Sequence, residues 1–140
     1  KVFVKPHPLT PKIPELVKVL EAISKNIKVI NPSEPADKYI EMSEVIIGLP
    51  PASTALFTAS LQCPEKPIIS LDLHHELLGN VYKDFNGVEY IDNEQKLSQT
   101  LELIRDNKYI KKQRTQRELN EFSSSLEVLE YLLRKRGLNI

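Results

Sequence analysis

Disulfide chemistry and a net charge of either sign are both missing from this sequence. Cys63 is the only cysteine among the 140 residues, so an internal disulfide is impossible and a cytoplasmic setting is favoured. The 19 basic and 19 acidic residues cancel, so no overall field attracts nucleic acid or an anionic membrane. The apolar runs are far shorter than a bilayer span. The chain begins at Lys1 inside a strand-like run, so we expect it to be a piece of a longer protein.

Signatures of cofactor and metal sites are absent as well. Neither the glycine-rich turn of nicotinamide dehydrogenases nor that of P-loop kinases is present, which argues against both classes. His74 and His75 are adjacent and lack a spaced carboxylate partner, so no metal site and no cofactor are expected. The basic run from Lys111 to Arg117 is offset by nearby Glu118. It is interpreted as a solvated helix face rather than a nucleic-acid surface.

Short β-branched runs alternate with helical patterns along most of the chain. Strands are predicted at 2–4, 27–30, 45–47 and 67–72, with a fifth ending at residue 91. The third is continuous in β-branched residues and is expected to be buried on both faces. The alternation predicts an α/β fold with a Rossmann-like parallel sheet and flanking helices over residues 1–107. Residues 108–140 are predicted to form a C-terminal helical tail that ends at Gly137.

Two helix starts carry local capping signals. Thr10 is predicted to cap the first helix, with Pro11 at the first helical position, where no N–H donor is needed. Asp92 and Gln95 have the spacing of a capping box and are predicted to open the helix after the fifth strand. Both signals mark the boundaries of the helices that flank the predicted sheet.

The most specific polar segment is Lys5-Pro6-His7-Pro8, directly after the first predicted strand. Open parallel sheets bind their ligands beyond the carboxyl ends of the strands, which is where this segment lies. Each proline fixes its own φ and biases the preceding residue to extended backbone, so His7 has little conformational entropy to lose on binding. Its imidazole can donate a hydrogen bond or a proton to phosphate. The alternative is a structural turn in which His7 bonds a backbone carbonyl, and spacing alone favours neither.

Two further loops at the same predicted edge hold candidate ligand groups. Ser53 and Thr54 open the helix after the third strand, where hydroxyls, free N–H groups and the helix dipole form an anion site. Alone, this pair is explained by N-capping. Together with His7 on a neighbouring loop, a phosphate between them is the better interpretation. Glu34 follows the second strand and is a candidate for contacting a nucleoside, with an exposed turn as the alternative.

Three segments together resemble a known family. "VFVKPHP", "EVIIGLPPASTAL" and "CPEKPIISLD" resemble the nucleotide-binding half of bacterial GT-B glycosyltransferases, over residues 2–72. The closest resemblance is to enzymes that use CMP-sugars, the bacterial sialyltransferases and polysialyltransferases. These carry a His-Pro motif after a strand and a Ser/Thr pair at a later helix start. The resemblance implies that residues 1–107 bind a nucleotide-sugar and that the tail packs on them or on a preceding domain.

The resemblance also implies roles for the matching residues. His7 would contact the CMP phosphate and help the leaving group depart, and Pro8 matches the motif proline. Ser53 and Thr54 match the pair that binds the phosphate. The looser matches are Lys5, which adds charge near the phosphate, and Glu34, which touches the nucleoside.

Partners and rival functions follow from the same resemblance. The implied partners are a CMP-sugar donor, a glycan acceptor and a preceding domain that holds the general base in an acidic motif. The implied setting is cytoplasmic, at the inner face of a membrane, and this chain alone is expected to bind nucleotide weakly without catalysing transfer. Two rivals stay open. One is a CDP-glycerol or Kdo-type transferase, and the other is a non-catalytic α/β binding module whose charged tail is the partner surface.

Overall fold

The computed structural model describes residues 1–50, 54–76 and 80–111 and the positions 130, 131, 133, 134 and 137, with Thr54 described by its backbone alone. The elements are β1 (Val2–Val4), α1 (Ile13–Ile23), β2 (Ile27–Val29), α2 (Asp37–Met42), β3 (Ile46–Gly48), α3 (Thr54–Gln62), β4 (Ile68–Leu71), β5 (Glu89–Ile91) and α4 (Glu94–Arg105). The strand pairs β1–β2, β3–β4 and β4–β5 are all parallel. The chain is therefore a mixed α/β protein with parallel sheets flanked by helices. This architecture is compatible with half of a Rossmann-like fold and confirms the predicted class.

The chain divides into two compact units, Lys1–Tyr39 and Ile40–Ile140. The first contains the sheet β1–β2, and the second contains the sheet β3–β4–β5. The predicted boundary after residue 107 stays a prediction, because most of 108–140 lies outside the described residues. Within that segment Gly137 has a φ of 76°, the left-handed conformation of many helix-ending glycines. In the described part of the chain, no helix has both the length and the apolar character needed to cross a bilayer.

In the first unit, β1 and β2 pair with Val2 opposite Ile27 and Val4 opposite Val29. Helix α1 connects them, because two parallel strands require a crossover. Half-buried apolar residues recur along this helix at helical spacing: Ile13, Leu16, Val17 and Leu20. The pairing brings the carboxyl ends of both strands to one edge, from which the two following loops leave.

Helix α1 begins later than its capping signal predicts. It begins at Ile13, and Lys12 takes the N-cap position with a left-handed φ of 55° and no side-chain cap bond. The predictions that Thr10 caps the helix and that Pro11 is its first residue are wrong, because Lys12 takes the N-cap position and Thr10 lies in a turn that its N–H closes on the carbonyl of His7 at 2.9 Å. Pro14 lies in the first helical turn, where its missing N–H costs no hydrogen bond.

In the second unit, β4 is the central strand and all of its residues are buried. β3 lies at the edge of the sheet, and Ile47 at its middle is 45% exposed. The prediction that this strand is buried on both faces is therefore wrong. Alternation explains why: Gly48 faces α3, where an added Cβ would lie 2.7 Å from the Leu56 side chain, and Ile47 points to the opposite face.

The core of the second unit is apolar and aromatic. The rings of Phe57 and Tyr82 meet the ring of Phe85 edge-on, with centroids 5.8 and 5.9 Å away. Burial raises the pKa of the Tyr82 hydroxyl well above its usual range. All four residues of β4 are buried, so the loop that follows it begins from the centre of the sheet. A second cluster consists of Ile69, Leu71 and Ile91, with Val45, Leu73, Leu97 and Ile104 packed against it.

Helix α4 lies where predicted, but its cap is one residue later. Asn93 is the N-cap, and its side-chain oxygen accepts the N–H of Lys96 at 2.8 Å. The predicted capping role of Asp92 is therefore wrong. Asp92 instead accepts the side-chain N–H of Asn93 at 3.0 Å, which turns the Asn93 oxygen towards the helix.

Candidate functional site

The loop after β1 is a tight proline turn over residues 7–10. The carbonyl of His7 accepts the N–H of Thr10 at 2.9 Å, and the ring nitrogen Nδ1 of His7 accepts the N–H of Leu9 at 3.1 Å. Pro8 occupies the second turn position, whose φ proline presets, and this gives the predicted motif proline a structural function. The side chain of His7 is exposed at the tip of this turn.

The loop after β2 repeats the same pattern over residues 31–34. The carbonyl of Asn31 accepts the N–H of Glu34 at 3.0 Å, and Oδ1 of Asn31 accepts the N–H of Ser33 at 3.0 Å. Pro32 occupies the second turn position. Both loops at this edge are therefore built from one turn pattern, in which the first side chain accepts the N–H two residues later.

The hydrogen bond to Leu9 fixes the tautomer of His7. Because Nδ1 accepts, it carries no proton, and the proton of the neutral ring resides on Nε2. The side chain is exposed, so this donor is open to a ligand. The structural alternative is correct that His7 lies in a turn, but the imidazole bonds a backbone N–H rather than a carbonyl. One side chain thus combines a turn-stabilising acceptor with an available donor.

Lys5 joins the two turns. Its half-buried side chain donates from Nζ to the carbonyl of Pro32 at 2.9 Å, across 27 residues of sequence. An ammonium group has three donors, so two are left for other acceptors. The predicted contact of Lys5 with phosphate stays a prediction, and its positive charge is held at the carbonyl of Pro32.

Glu34 is bound by neighbours within its own unit. Its Oε2 accepts hydrogen bonds from Nζ of Lys38 at 2.6 Å and from the Tyr39 hydroxyl at 2.7 Å. These two bonds, that of Lys38 first, lower the pKa of Glu34, and the same pairing raises the pKa of Lys38. The ring of Tyr39 packs on Phe3 of β1, with centroids 5.4 Å apart. The predicted contact of Glu34 with a nucleoside stays a prediction.

Sequence reasoning missed Lys38 and Tyr39. The signal for Lys38 was present, since a Glu four residues before a Lys on a helical segment favours an ion pair. Nζ of Lys38 also lies 4.8 Å from the centre of the Tyr39 ring. The first unit therefore presents two ammonium groups and one imidazole N–H on or beside its turns.

The predicted hydroxyl pair lies beyond what the structure describes. Ser53 is outside the described residues, and Thr54 is the first residue of α3 with no side chain described. The helix start that the pair was expected to open is present, and its first N–H groups lack intrahelical partners by geometry. The sharing of one phosphate by this pair and His7 stays a prediction.

The second unit has a cavity of about 250 Å³ at the carboxyl ends of β3 and β4, which we call the acidic cavity. Asp72, only 1% exposed, accepts the N–H of Glu76 at 2.9 Å with Oδ1 and the Tyr90 hydroxyl at 3.1 Å with Oδ2. Sequence reasoning assigned Asp72 no function, although an acid at the carboxyl end of a strand is a signal for ligand contact. The lining residues are Leu49, Pro50, Leu71, Asp72, Leu73, His74 and Glu76.

Across the described ranges, no group of three or more His, Cys, Asp or Glu side chains is arranged to hold a metal ion. Comparisons of the chain with protein-family models, with curated proteins and with solved structures found no match.

Proposed function

We propose that this chain is the donor-nucleotide-binding domain of a glycosyltransferase that transfers sialic acid from CMP-sialic acid to a surface glycan. The observation that carries the proposal is the exposed imidazole of His7, whose Nδ1 is occupied by the N–H of Leu9 so that Nε2–H is left for a phosphate oxygen. The parallel α/β architecture supports it, because open parallel sheets bind nucleotides beyond the carboxyl ends of their strands.

In this proposal His7 acts by hydrogen bonding. When the glycosidic bond to CMP breaks, negative charge grows on the phosphate, and a donor already aimed there stabilises the transition state more than the ground state. While Nδ1 accepts from Leu9, the Nε2 proton is the only N–H proton on the ring, and full transfer would leave an imidazolate. The turn therefore favours a strong hydrogen bond over proton transfer.

Positive charge on the proline turns serves the same phosphate. Lys5 keeps two donors beyond its bond to Pro32, and this bond holds its ammonium at the turn of residues 31–34. Lys38 is fixed by Glu34, so Glu34 acts in this proposal by positioning a cation beside the nucleotide. Ser53 and Thr54 provide the remaining phosphate contacts.

The other participants belong to the wider enzyme. The general base that activates the acceptor comes from a second domain in an acidic motif, and the acceptor is a glycan. The enzyme works in the cytoplasm, at the inner face of the membrane. In such a two-domain enzyme, we expect His7→Ala to lower kcat about a hundredfold, because one lost donor of this kind typically costs about 3 kcal/mol.

Nucleotide-dependent thermal stability tests the proposal on the chain itself. CMP, CDP and UDP are compared at equal concentrations on the parent chain, on His7→Ala and on Lys18→Ala, an exposed control in α1 of the same unit. We expect CMP to raise the Tm of the parent and of the control but not of His7→Ala. A larger shift with CDP would select the CDP-glycerol transferase instead. Equal shifts in all three proteins, or no shift with any nucleotide, would reject the assignment of His7.

A non-catalytic α/β binding module is a second candidate, favoured by one observation. Lys5 and Glu34 are already bonded within their own unit, to Pro32 and to Lys38, as residues of a purely structural turn would be. In that case His7→Ala lowers the stability of the turn, and no nucleotide changes the Tm of any variant. The same thermal experiment therefore separates the two candidates.

A further inference from the structure

The acidic cavity of the second unit is not used by the nucleotide proposal. Its volume is about 250 Å³. It lies just below the range of about 300 to 1,000 Å³ that is usual for drug-sized ligands. The cavity is therefore suited to one ring-sized ligand rather than to a whole nucleotide-sugar.

The carboxylate of Asp72 is the unusual group in this cavity. It is 1% exposed, and its two hydrogen bonds come from neutral donors, the N–H of Glu76 and the hydroxyl of Tyr90. Among the ion pairs of the described residues, none includes Asp72. Buried charges are normally paired with an opposite charge, because removing a carboxylate from water is costly. An ionised carboxylate has about four lone-pair sites, so Asp72 can accept more hydrogen bonds than it now does.

The remaining polar side chains of the lining determine which ligand charge the cavity favours. Glu76 adds a second carboxylate, and none of the described residues that line the cavity is a Lys or an Arg. The other polar side chain is the exposed imidazole of His74. The two carboxyl groups of Asp72 and Glu76 repel phosphate and attract hydroxyl or ammonium donors. The acidic cavity is therefore lined by negative charge, whereas the proline turns of the first unit carry the positive charge of Lys5 and Lys38 beside them.

The apolar part of the lining completes the description of the ligand. Among the described residues, the apolar lining comprises Leu49, Pro50, Leu71 and Leu73. A sugar ring offers C–H groups to such a wall and hydroxyl groups to a carboxylate at the same time. We infer that the acidic cavity binds a single sugar ring that carries hydroxyl or ammonium donors and no negative charge, with Asp72 as its main acceptor. This site does not depend on the nucleotide proposal and is tested separately from it.

Three probes that share one sugar ring and differ in charge test the inference. Glucose, glucosamine and glucose 6-phosphate are titrated into the isotope-labelled full chain, and backbone amide shifts are followed by NMR. We expect shifts at residues 71–76, with glucosamine binding more tightly than glucose and glucose 6-phosphate binding most weakly. Equal or tighter binding of glucose 6-phosphate would overturn the inference, as would the absence of shifts at 71–76 with all three probes.

Two variants test the separate contributions of the Asp72 and Glu76 carboxylates to binding. Asp72→Asn keeps the shape of the side chain and removes its charge, and we expect it to weaken glucose and glucosamine binding about tenfold or more. Glu76→Gln leaves the backbone N–H that Asp72 accepts in place and is expected to reduce the preference for glucosamine over glucose. Glu102→Gln, an exposed change in α4, is the matched control and is expected to bind as the parent does.

Folding and binding are separated by recording the circular dichroism melt of each variant. Should Asp72→Asn fail to fold, Glu76→Gln still decides, because its substitution does not alter a hydrogen bond of the buried carboxylate. Unchanged affinities in the folded carboxylate variants would overturn the assignment. None of these results alters the expected effect of CMP on the first unit, so the failure of one proposal is distinguishable from the failure of the other.

Discussion

His7 uses its two ring nitrogens for different purposes. Nδ1 accepts the N–H of Leu9 and stabilises the turn, whereas Nε2 is left as a donor. The neighbouring turn performs the first task without an imidazole, since Oδ1 of Asn31 accepts the N–H of Ser33 in the same way. A side chain that only stabilised the turn would not need to be histidine.

The comparison of the two turns gives the first prediction. His7→Asn keeps an acceptor for the N–H of Leu9 and removes the Nε2 donor, whereas His7→Ala removes both. We expect the free energy of unfolding of His7→Asn to lie within about 0.5 kcal/mol of the parent value. We expect its affinity for CMP to be lower by about tenfold or more. Urea unfolding and calorimetric titration measure the two quantities. If His7→Asn retained the CMP affinity of the parent, the imidazole would have only a structural function.

The second prediction concerns the ion pair of Glu34 and Lys38. The hydrogen bonds from Lys38 and Tyr39 lower the pKa of Glu34 in the folded chain. Carbon-13 NMR titration should therefore find that the Glu34 carboxyl stays ionised at pH values below the usual titration range of a glutamate. The stabilising effect of the pair is complete above the ordinary Glu pKa and is lost as the pH falls through the lowered folded value.

The reciprocal effect provides the control for this pair. Glu34→Gln removes the hydrogen bond that raises the pKa of Lys38, so the pKa of Lys38 should fall towards its ordinary value. Glu15→Gln, an exposed change in α1, should leave the pKa of Lys38 unaltered. An unchanged Lys38 titration in Glu34→Gln would show that the pair does not form in solution.

The contact between β3 and α3 depends on a glycine. A Cβ added at Gly48 would lie 2.7 Å from side-chain atoms of Leu56, which is 2% exposed and so has little room to move. We expect Gly48→Ala to lower the free energy of unfolding by about 1 to 3 kcal/mol, the usual effect of overpacking. Urea denaturation measures this loss.

A double-mutant cycle separates this clash from other effects of the substitution. In a Leu56→Ala background the clash is gone, so Gly48→Ala should cost clearly less there than in the parent chain. Strict additivity of the two substitutions would indicate that β3 and α3 do not meet through these residues.

The stability of α4 depends on the side chain at its N-cap. Asn93 accepts the N–H of Lys96, and Asp92 only orients the Asn93 amide. We expect Asn93→Ala to cost about 1 kcal/mol of stability and Asp92→Ala to cost less. Thermal or urea unfolding of both variants decides between them. The reverse order would restore Asp92 as the cap.

At the scale of the whole chain, the sequence predicts the fold class because strand runs and helical stripes report burial directly. The alternation of helical stripes such as that of α1 with short apolar runs such as that of β4 predicts the parallel α/β class. Helix boundaries were harder, because a good capping side chain does not ensure that the backbone enters the helix at that residue. Thr10 lies in the His7 turn, and the helix begins at Ile13 after an N-cap at Lys12 that makes no side-chain bond.

The candidate site was predictable only in part. His7 and Lys5 could be located because prolines and a strand end restrict them locally. The tautomer of His7 depends on the N–H of Leu9, and the bond from Lys5 to Pro32 crosses 27 residues, so neither can be derived from local sequence. The same holds for Asp72, whose burial results from the core around β4 and β5.

Amide NMR of the chain during titration with CMP tests the central claim most directly. The N–H of Leu9 bonds the His7 ring, so its resonance reports any ligand that engages Nε2. We expect CMP to shift the resonances of Leu9, Thr10, Ser33 and Glu34 in the parent chain and to leave them unshifted in His7→Ala. Shifts that persist in His7→Ala, or resonances of the two proline turns that stay still at saturating CMP, would contradict a phosphate contact at His7.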